Sequence, residues 1–226
     1  MINHERKSKL IKYCIFDLDG TLLNTIDTIA YYVNNALQNH GREPITIAQA
    51  KRFVGDGASE LIHRSLNALS PESLPMHEAI LHEYKSRYDE SPLYLTEAYD
   101  GIYELIEGLL SRGITLAVLS NKPHTALRSV MAHYFTNKFS AVLGARDGVP
   151  LKPNPLALIS LMDSLGADPK EVMFIGDTGV DMKTGKNGGV GLTVGVSWGF
   201  REREELFRDG ADRVVDHPKE ILELCQ

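Results

Sequence analysis

The chain has 226 residues, 43% of them hydrophobic and 24% charged, with a formal net charge of -6. That length suits one large domain or a core with a smaller companion, and the balance is that of a soluble globular protein. It excludes a basic nucleic-acid footprint, a helix with a basic face opposite a broad apolar one, and any apolar run long enough to span a bilayer. Residues 1–12 are polar and basic with no apolar core behind them, and Cys14 and Cys225 make no disulfide framework. A cytoplasmic protein is therefore expected.

Residues 1–11 read as a frayed lead-in. Tyr13-Cys14-Ile15-Phe16 is an apolar run suited to a strand buried on both faces, and it stops in Asp17-Leu18-Asp19-Gly20-Thr21. Ile26, Ile29, Ala30, Val33, Ala36 and Leu37 then recur at helical spacing, with Gly41 as a stop. Further helices are expected over residues 48–54, 59–69 and 75–88. The flexible break Gly55-Asp56-Gly57 separates the first two. With no strand expected over residues 24–91, this block reads as an all-helical insertion that the chain leaves at Ser91-Pro92.

An α/β pattern then resumes. Ile102, Leu105, Ile106, Leu109 and Leu110 form a helical stripe closed by Gly113. Strands are expected over residues 114–119, 139–143, 172–175, 192–196 and 213–215. Helices are expected over residues 124–135 and from Asn154-Pro155 to Leu165, with a short helical turn at Asp168-Pro169 and a last helix from Pro218. Such alternation predicts a parallel, doubly wound sheet.

In an open parallel sheet the ligand crevice lies at the carboxyl ends of the strands. Three apolar strands here end in polar groups fit for phosphate chemistry: Asp17 and Asp19, then Ser120 and Asn121, then Asp177 and Asp181. Lys152 joins them from the loop Leu151-Lys152-Pro153-Asn154-Pro155. Asp17 and Asp19 can share a hard cation such as Mg2+, and Asp17 is the expected nucleophile toward phosphate. An EF-hand loop is disfavoured, because its sixth position needs glycine and is Leu22 here.

These residues resemble, in order and spacing, the motifs of the haloacid dehalogenase-like hydrolases. Asp17-Leu18-Asp19-Gly20-Thr21 resembles the first, Ser120 the second, Lys152 the third, and Gly176-Asp177-Thr178-Gly179-Val180-Asp181 the fourth, with threonine where serine is more usual. The resemblance implies a Rossmann-like core, residues 1–23 with 92–226, and a helical cap domain, residues 24–91, inserted after the first motif. Phe16 to Leu23, Val54-Gly55-Asp56-Gly57-Ala58 and Ser120-Asn121-Lys122-Pro123 point within the family to phosphoglycolate phosphatases.

That resemblance implies a Mg2+-dependent phosphatase acting on a small phosphorylated metabolite, at best guess 2-phosphoglycolate. Asp17, the Asp19 backbone carbonyl and Asp177 would hold the metal, with Asp181 ordering its waters or holding Lys152. Asp17 would attack phosphorus, and Asp19 would act as acid and then base. Thr21, Ser120, Asn121 and Lys152 would bind the phosphoryl oxygens. Gly55, Asp56 and Gly57 would touch the substrate from the cap, or Asp56 would be a helix N-cap. A phosphomutase or pyrophosphatase of the same plan is an alternative, as is a receiver module phosphorylated on aspartate. His124 and His133 read as surface or packing residues, Trp198 as packing or cleft lining, and Arg201-Glu202-Arg203-Glu204-Glu205 as a solvated helix start.

Overall fold

The computed structural model describes residues 10–69 and 71–225, so most of the expected lead-in lies outside the described residues. The core is a six-stranded parallel sheet. Its strands are β1 (Tyr13–Phe16), β4 (Thr115–Pro123), β5 (Ala141–Ala145), β6 (Val172–Gly176), β7 (Leu192–Val196) and β8 (Arg213–Val215), in the order β5-β4-β1-β6-β7-β8. The first strand in sequence is thus central: Ile15 lies opposite Ala117 on one side and Phe174 on the other.

Helices cover both faces because β1 alternates between two apolar layers. Cys14 and Phe16 pack with α5 (Ile102–Ser111), α6 (His124–Tyr134) and Ile221 of α10 (Pro218–Glu223). Ile15 packs the opposite way, with Ala117, Phe174 and α7 (Leu156–Leu165). Cys14, Ile15 and Phe16 are fully buried, and for the two large apolar side chains, Ile15 and Phe16, burial contributes roughly 1.5–3 kcal/mol each. The core is completed by α8 (Gly179–Asn187) and α9 (Arg203–Arg208).

After β1 the chain enters a short antiparallel ribbon, β2 (Leu23–Asn24) paired with β3 (Glu97–Ala98). The sequence reading missed both strands, and Asn24 is in one of them. Between them run α1 (Ile26–Asn39), α2 (Ile47–Phe53), α3 (Ala58–Leu69), a 3-10 turn (Pro71–Met76) and α4 (His77–Glu90). Pro75 therefore sits in the turn, and α4 starts two residues later than the helix expected from residue 75. These helices enclose their own apolar cluster, with Val33, Leu37, Ile62, Leu66 and Ile80 at its centre. Among the described residues no helix is long and apolar enough to cross a membrane.

Candidate active site

The β1 run is stopped by charge. The Asp17 N–H still completes the sheet by donating to the Ile175 carbonyl at 2.9 Å, while its side chain accepts from the Leu18 N–H at 2.7 Å. The chain turns sharply at Gly20, whose φ of 82° is the left-handed conformation glycine tolerates. A Cβ there would lie 2.2 Å from Asp177 Oδ2, so the glycine also leaves room for that carboxylate.

Strand β4 pairs with β1 only as far as Val118 and then runs on to Pro123, carrying Ser120, Asn121 and Lys122 to the sheet edge. Ser120 is buried against the cleft. The Asn121 side chain is a clamp. It accepts from the Lys152 N–H at 2.9 Å, and its amide donates to the carbonyls of Lys152 at 3.0 Å and Gly55 at 2.9 Å. Lys152, pinned this way, places Nζ 2.6 Å from Asp181 Oδ1 and 3.0 Å from Asp17 Oδ2.

Beyond β6, Thr178 and Asp181 form a reciprocal capping box at the start of α8, in which the Thr178 side chain accepts from the Asp181 N–H and Asp181 Oδ2 accepts from the Thr178 N–H. The carboxylate thus stabilises the helix terminus and reaches Lys152 with its other oxygen. Asp177 accepts from the Phe200 N–H at 2.8 Å and the Thr21 hydroxyl at 3.2 Å.

Carboxylate oxygens of Asp17, Asp177 and Asp181 lie within 4.8 Å of one another, all buried. Burial pushes Asp17 up to about 7; Lys152 opposes that rise and Asp181 and Asp19 add to it. Burial, then Asp181 and Asp17, push Asp177 up as well. Burial alone would lower the Lys152 ammonium, but Asp17 and Asp181 outweigh it and keep it charged. Three converging buried carboxylates facing one lysine form an all-oxygen donor set with excess negative charge, which suits a hard divalent cation.

The structure brings together Asp17, Asp19, Ser120, Asn121, Lys152, Asp177 and Asp181. Thr21 is turned onto Asp177. Gly55 and Gly57 line the cleft, and a Cβ on Gly57 would come 2.9 Å from Leu151, so this break between α2 and α3 passes close to the Lys152 loop. Asp56 points elsewhere: its carboxylate pairs with Arg64 at 2.7 Å. Trp198 packs against the core and donates to the Thr21 carbonyl at 3.0 Å. His124 accepts from the Gly144 N–H and so ties α6 to β5.

Two further residues join the site and the helical block in ways their sequence does not announce. Lys122, buried at 6% exposure, reaches Asp19 Oδ1 at 2.9 Å and the hydroxyl of Tyr88, on α4, at 2.6 Å. Arg201, expected to be solvated, donates to the carbonyls of Lys51, Arg52 and Val54 at the end of α2. A lysine two residues past Ser120 was visible as a strand-end cation; nothing local marks Arg201.

A central aspartate thus stands at a parallel-sheet edge, with a lysine against it and two further buried acids beside it that could hold a metal ion. The family model described as haloacid dehalogenase-like hydrolase matches residues 14–194. The N-acetylmuramic acid 6-phosphate phosphatase of Pseudomonas aeruginosa is 32% identical over 222 residues, 96% of each chain. The phosphoglycolate phosphatase of Vibrio parahaemolyticus is 31% identical over 219 residues, 95% of this chain and 96% of that protein. A crystal structure of a candidate phosphoglycolate phosphatase from Lactobacillus delbrueckii subsp. bulgaricus superposes with a TM-score of 0.89 at 28% identity, covering 96% of this chain and 98% of the other. The chain belongs to the haloacid dehalogenase-like hydrolases and is a phosphoric monoester hydrolase. That sets aside the receiver-module alternative.

Proposed function

We propose that the chain is a Mg2+-dependent phosphatase that hydrolyses small phosphate monoesters through a phosphoryl group carried on Asp17. One observation supports this above the rest: Asp17 lines the cleft with one carboxylate oxygen against the Lys152 ammonium and the other against the Leu18 N–H. Its carboxylate is thereby fixed in direction, as a nucleophile needs.

Asp17, Asp177 and the Asp19 carbonyl would hold the metal, with Asp181 at its side. When bound, Mg2+ supplies positive charge that offsets the repulsion between a phosphate dianion and these carboxylates. The remaining steps belong to the chain. An Asp17 oxygen bonds to phosphorus as the bond from phosphorus to the ester oxygen breaks. Asp19 gives that leaving oxygen its proton, then takes a proton from the water that attacks phosphorus and frees Asp17. The Ser120 hydroxyl, the Asn121 N–H and Lys152 bind the phosphoryl oxygens during transfer. Residues 24–91 act as the cap that excludes water, over a core of residues 1–23 and 92–226.

Of the substrates in its relatives' names, we favour 2-phosphoglycolate. The test is a screen of phosphorylated metabolites, including 2-phosphoglycolate and N-acetylmuramic acid 6-phosphate, with and without Mg2+, read as free phosphate. Metal-dependent release with repeated turnover is expected. Isomerised product without free phosphate would replace this reading with a mutase.

A further inference from the structure

The cleft extends past Asp17, Asp19 and Ser120 to the side where a leaving group would lie. There the walls are apolar, made by Ile29, Val54, Leu61 and Phe200. Three polar groups interrupt them. The Lys122 ammonium sits between Asp19 and Tyr88 with its side chain only 3% exposed. Tyr84 and Tyr88, one turn apart on α4, also line the cleft and are buried at 6% and 4% exposure.

Their hydrogen bonding is incomplete in one direction. Tyr88 accepts from Lys122, so its own O–H proton remains to be donated. Among the described residues nothing accepts from either tyrosine hydroxyl. Burial pushes both phenols well above their usual value, so both remain protonated donors. A buried cation and two hydroxyl donors thus line the cleft together with Asp19; among the described residues neither hydroxyl proton has an acceptor, and the Tyr84 oxygen is open to the cleft. The exposed Lys85 and Asp89, of opposite charge, also line the cleft.

We propose that Lys122, Tyr84 and Tyr88 form a carboxylate-recognition subsite, so that the substrate is a short phosphorylated hydroxy acid whose carboxylate lies next to the ester carbon. This rests on the phosphatase reading and narrows it. A carboxylate offers acceptors to both O–H groups, and the ammonium, shared with Asp19, offers it a charged donor. Its place beside Asp19 puts it within one or two bonds of the leaving oxygen. A sugar leaving group fits poorly, because its several hydroxyls would meet apolar walls without partners.

The test compares 2-phosphoglycolate with 2-hydroxyethyl phosphate, which keeps the chain length and replaces the carboxylate by a neutral alcohol. Wild type, Tyr88→Phe, Tyr84→Phe with Tyr88→Phe, and Lys122→Met are assayed with Mg2+. A hydrogen bond to a charged group corresponds to about a tenfold effect or more. Wild type should therefore prefer the carboxylate ester by at least about a hundredfold, and Tyr88→Phe should cut the preference about tenfold. Lys122→Met should cut it further; if that variant does not fold, the phenylalanine variants, which keep the ring packing, carry the test. The subsite is overturned if both esters slow in parallel in the phenylalanine variants, or if wild type shows no preference while hydrolysing other monoesters. If wild type hydrolyses no phosphate monoester at all, the phosphatase reading itself has failed.

Discussion

At the scale of single residues, Asp17 and Asp19 share a turn and differ in surroundings. Asp17 is buried against Lys152, whereas Asp19 is partly exposed and held by Lys122. Asp17→Asn should abolish turnover and leave the far-UV spectrum native, since an amide nitrogen neither attacks phosphorus nor binds Mg2+ well. Substantial activity in that folded variant would remove Asp17 as the nucleophile. Asp19→Asn should slow phosphorylation by about 10²–10⁴-fold for an alkyl phosphate. It should slow it far less for p-nitrophenyl phosphate, whose leaving group needs no proton; single-turnover kinetics with both esters separates the cases. Asp17 also links pH to stability. Unfolded, it loses its proton near the ordinary aspartate value of ~3.9; folded without metal, it keeps it up to about 7. Between those limits the folded state binds the extra proton, so the metal-free protein should lose stability as pH rises. Mg2+ competes with that proton. Its gain in Tm should therefore be larger at about pH 8 than at about pH 5.5, and the reverse order would contradict the assignment.

At the scale of elements, Gly55-Asp56-Gly57 separates backbone from side chain. Its two glycines, at φ 117° and 90°, bring the chain over the cleft, while Asp56 turns to Arg64. Since that pair is about one-third exposed, Asp56→Ala should cost at most about 1 kcal/mol. It should leave the ratio of kcat/KM values between two esters where it was, which differential scanning and paired assays can check. The same contrast explains what could be read in the sequence. Strands such as β1 and β6 were legible because an apolar run stops abruptly in acids, and that stop located Asp17, Asp19, Asp177 and Asp181. Helices α1 and α5 were legible from their apolar stripes. The two-residue strands β2 and β3 are too short to show a period, and α8 carries two glycines and no broad apolar face. Lys122 and Asp19 are 103 positions apart, and Arg201 and Val54 are 147 apart. Such meetings exist only once the sheet has formed.

At the scale of the whole molecule, the helical block touches the core through side chains that span the cleft: Asn121 to the Gly55 carbonyl, Lys122 to Tyr88, and Arg201 to the last turn of α2. Its covalent attachment is elsewhere, at the ribbon where Leu23 lies opposite Ala98 and Asn24 opposite Glu97. Thr28 ties the two passages together through Thr96 at 2.9 Å and the Tyr94 carbonyl. The chain therefore leaves the core and returns to it at a single doorway, side by side. A two-residue Asn-Gly turn joining Asn24 to Glu97 would close that doorway as an ordinary hairpin. The shortened chain should retain the six-stranded sheet, unfold in one transition and still hydrolyse p-nitrophenyl phosphate, with its preference among natural esters gone; loss of the cooperative transition would show that the core cannot stand without the helices. Seen this way the ribbon is a socket. Helical inserts of different length and lining can be exchanged there over evolutionary time while the chemistry beneath stays fixed, so one hydrolytic engine can acquire a new diet without relearning its reaction.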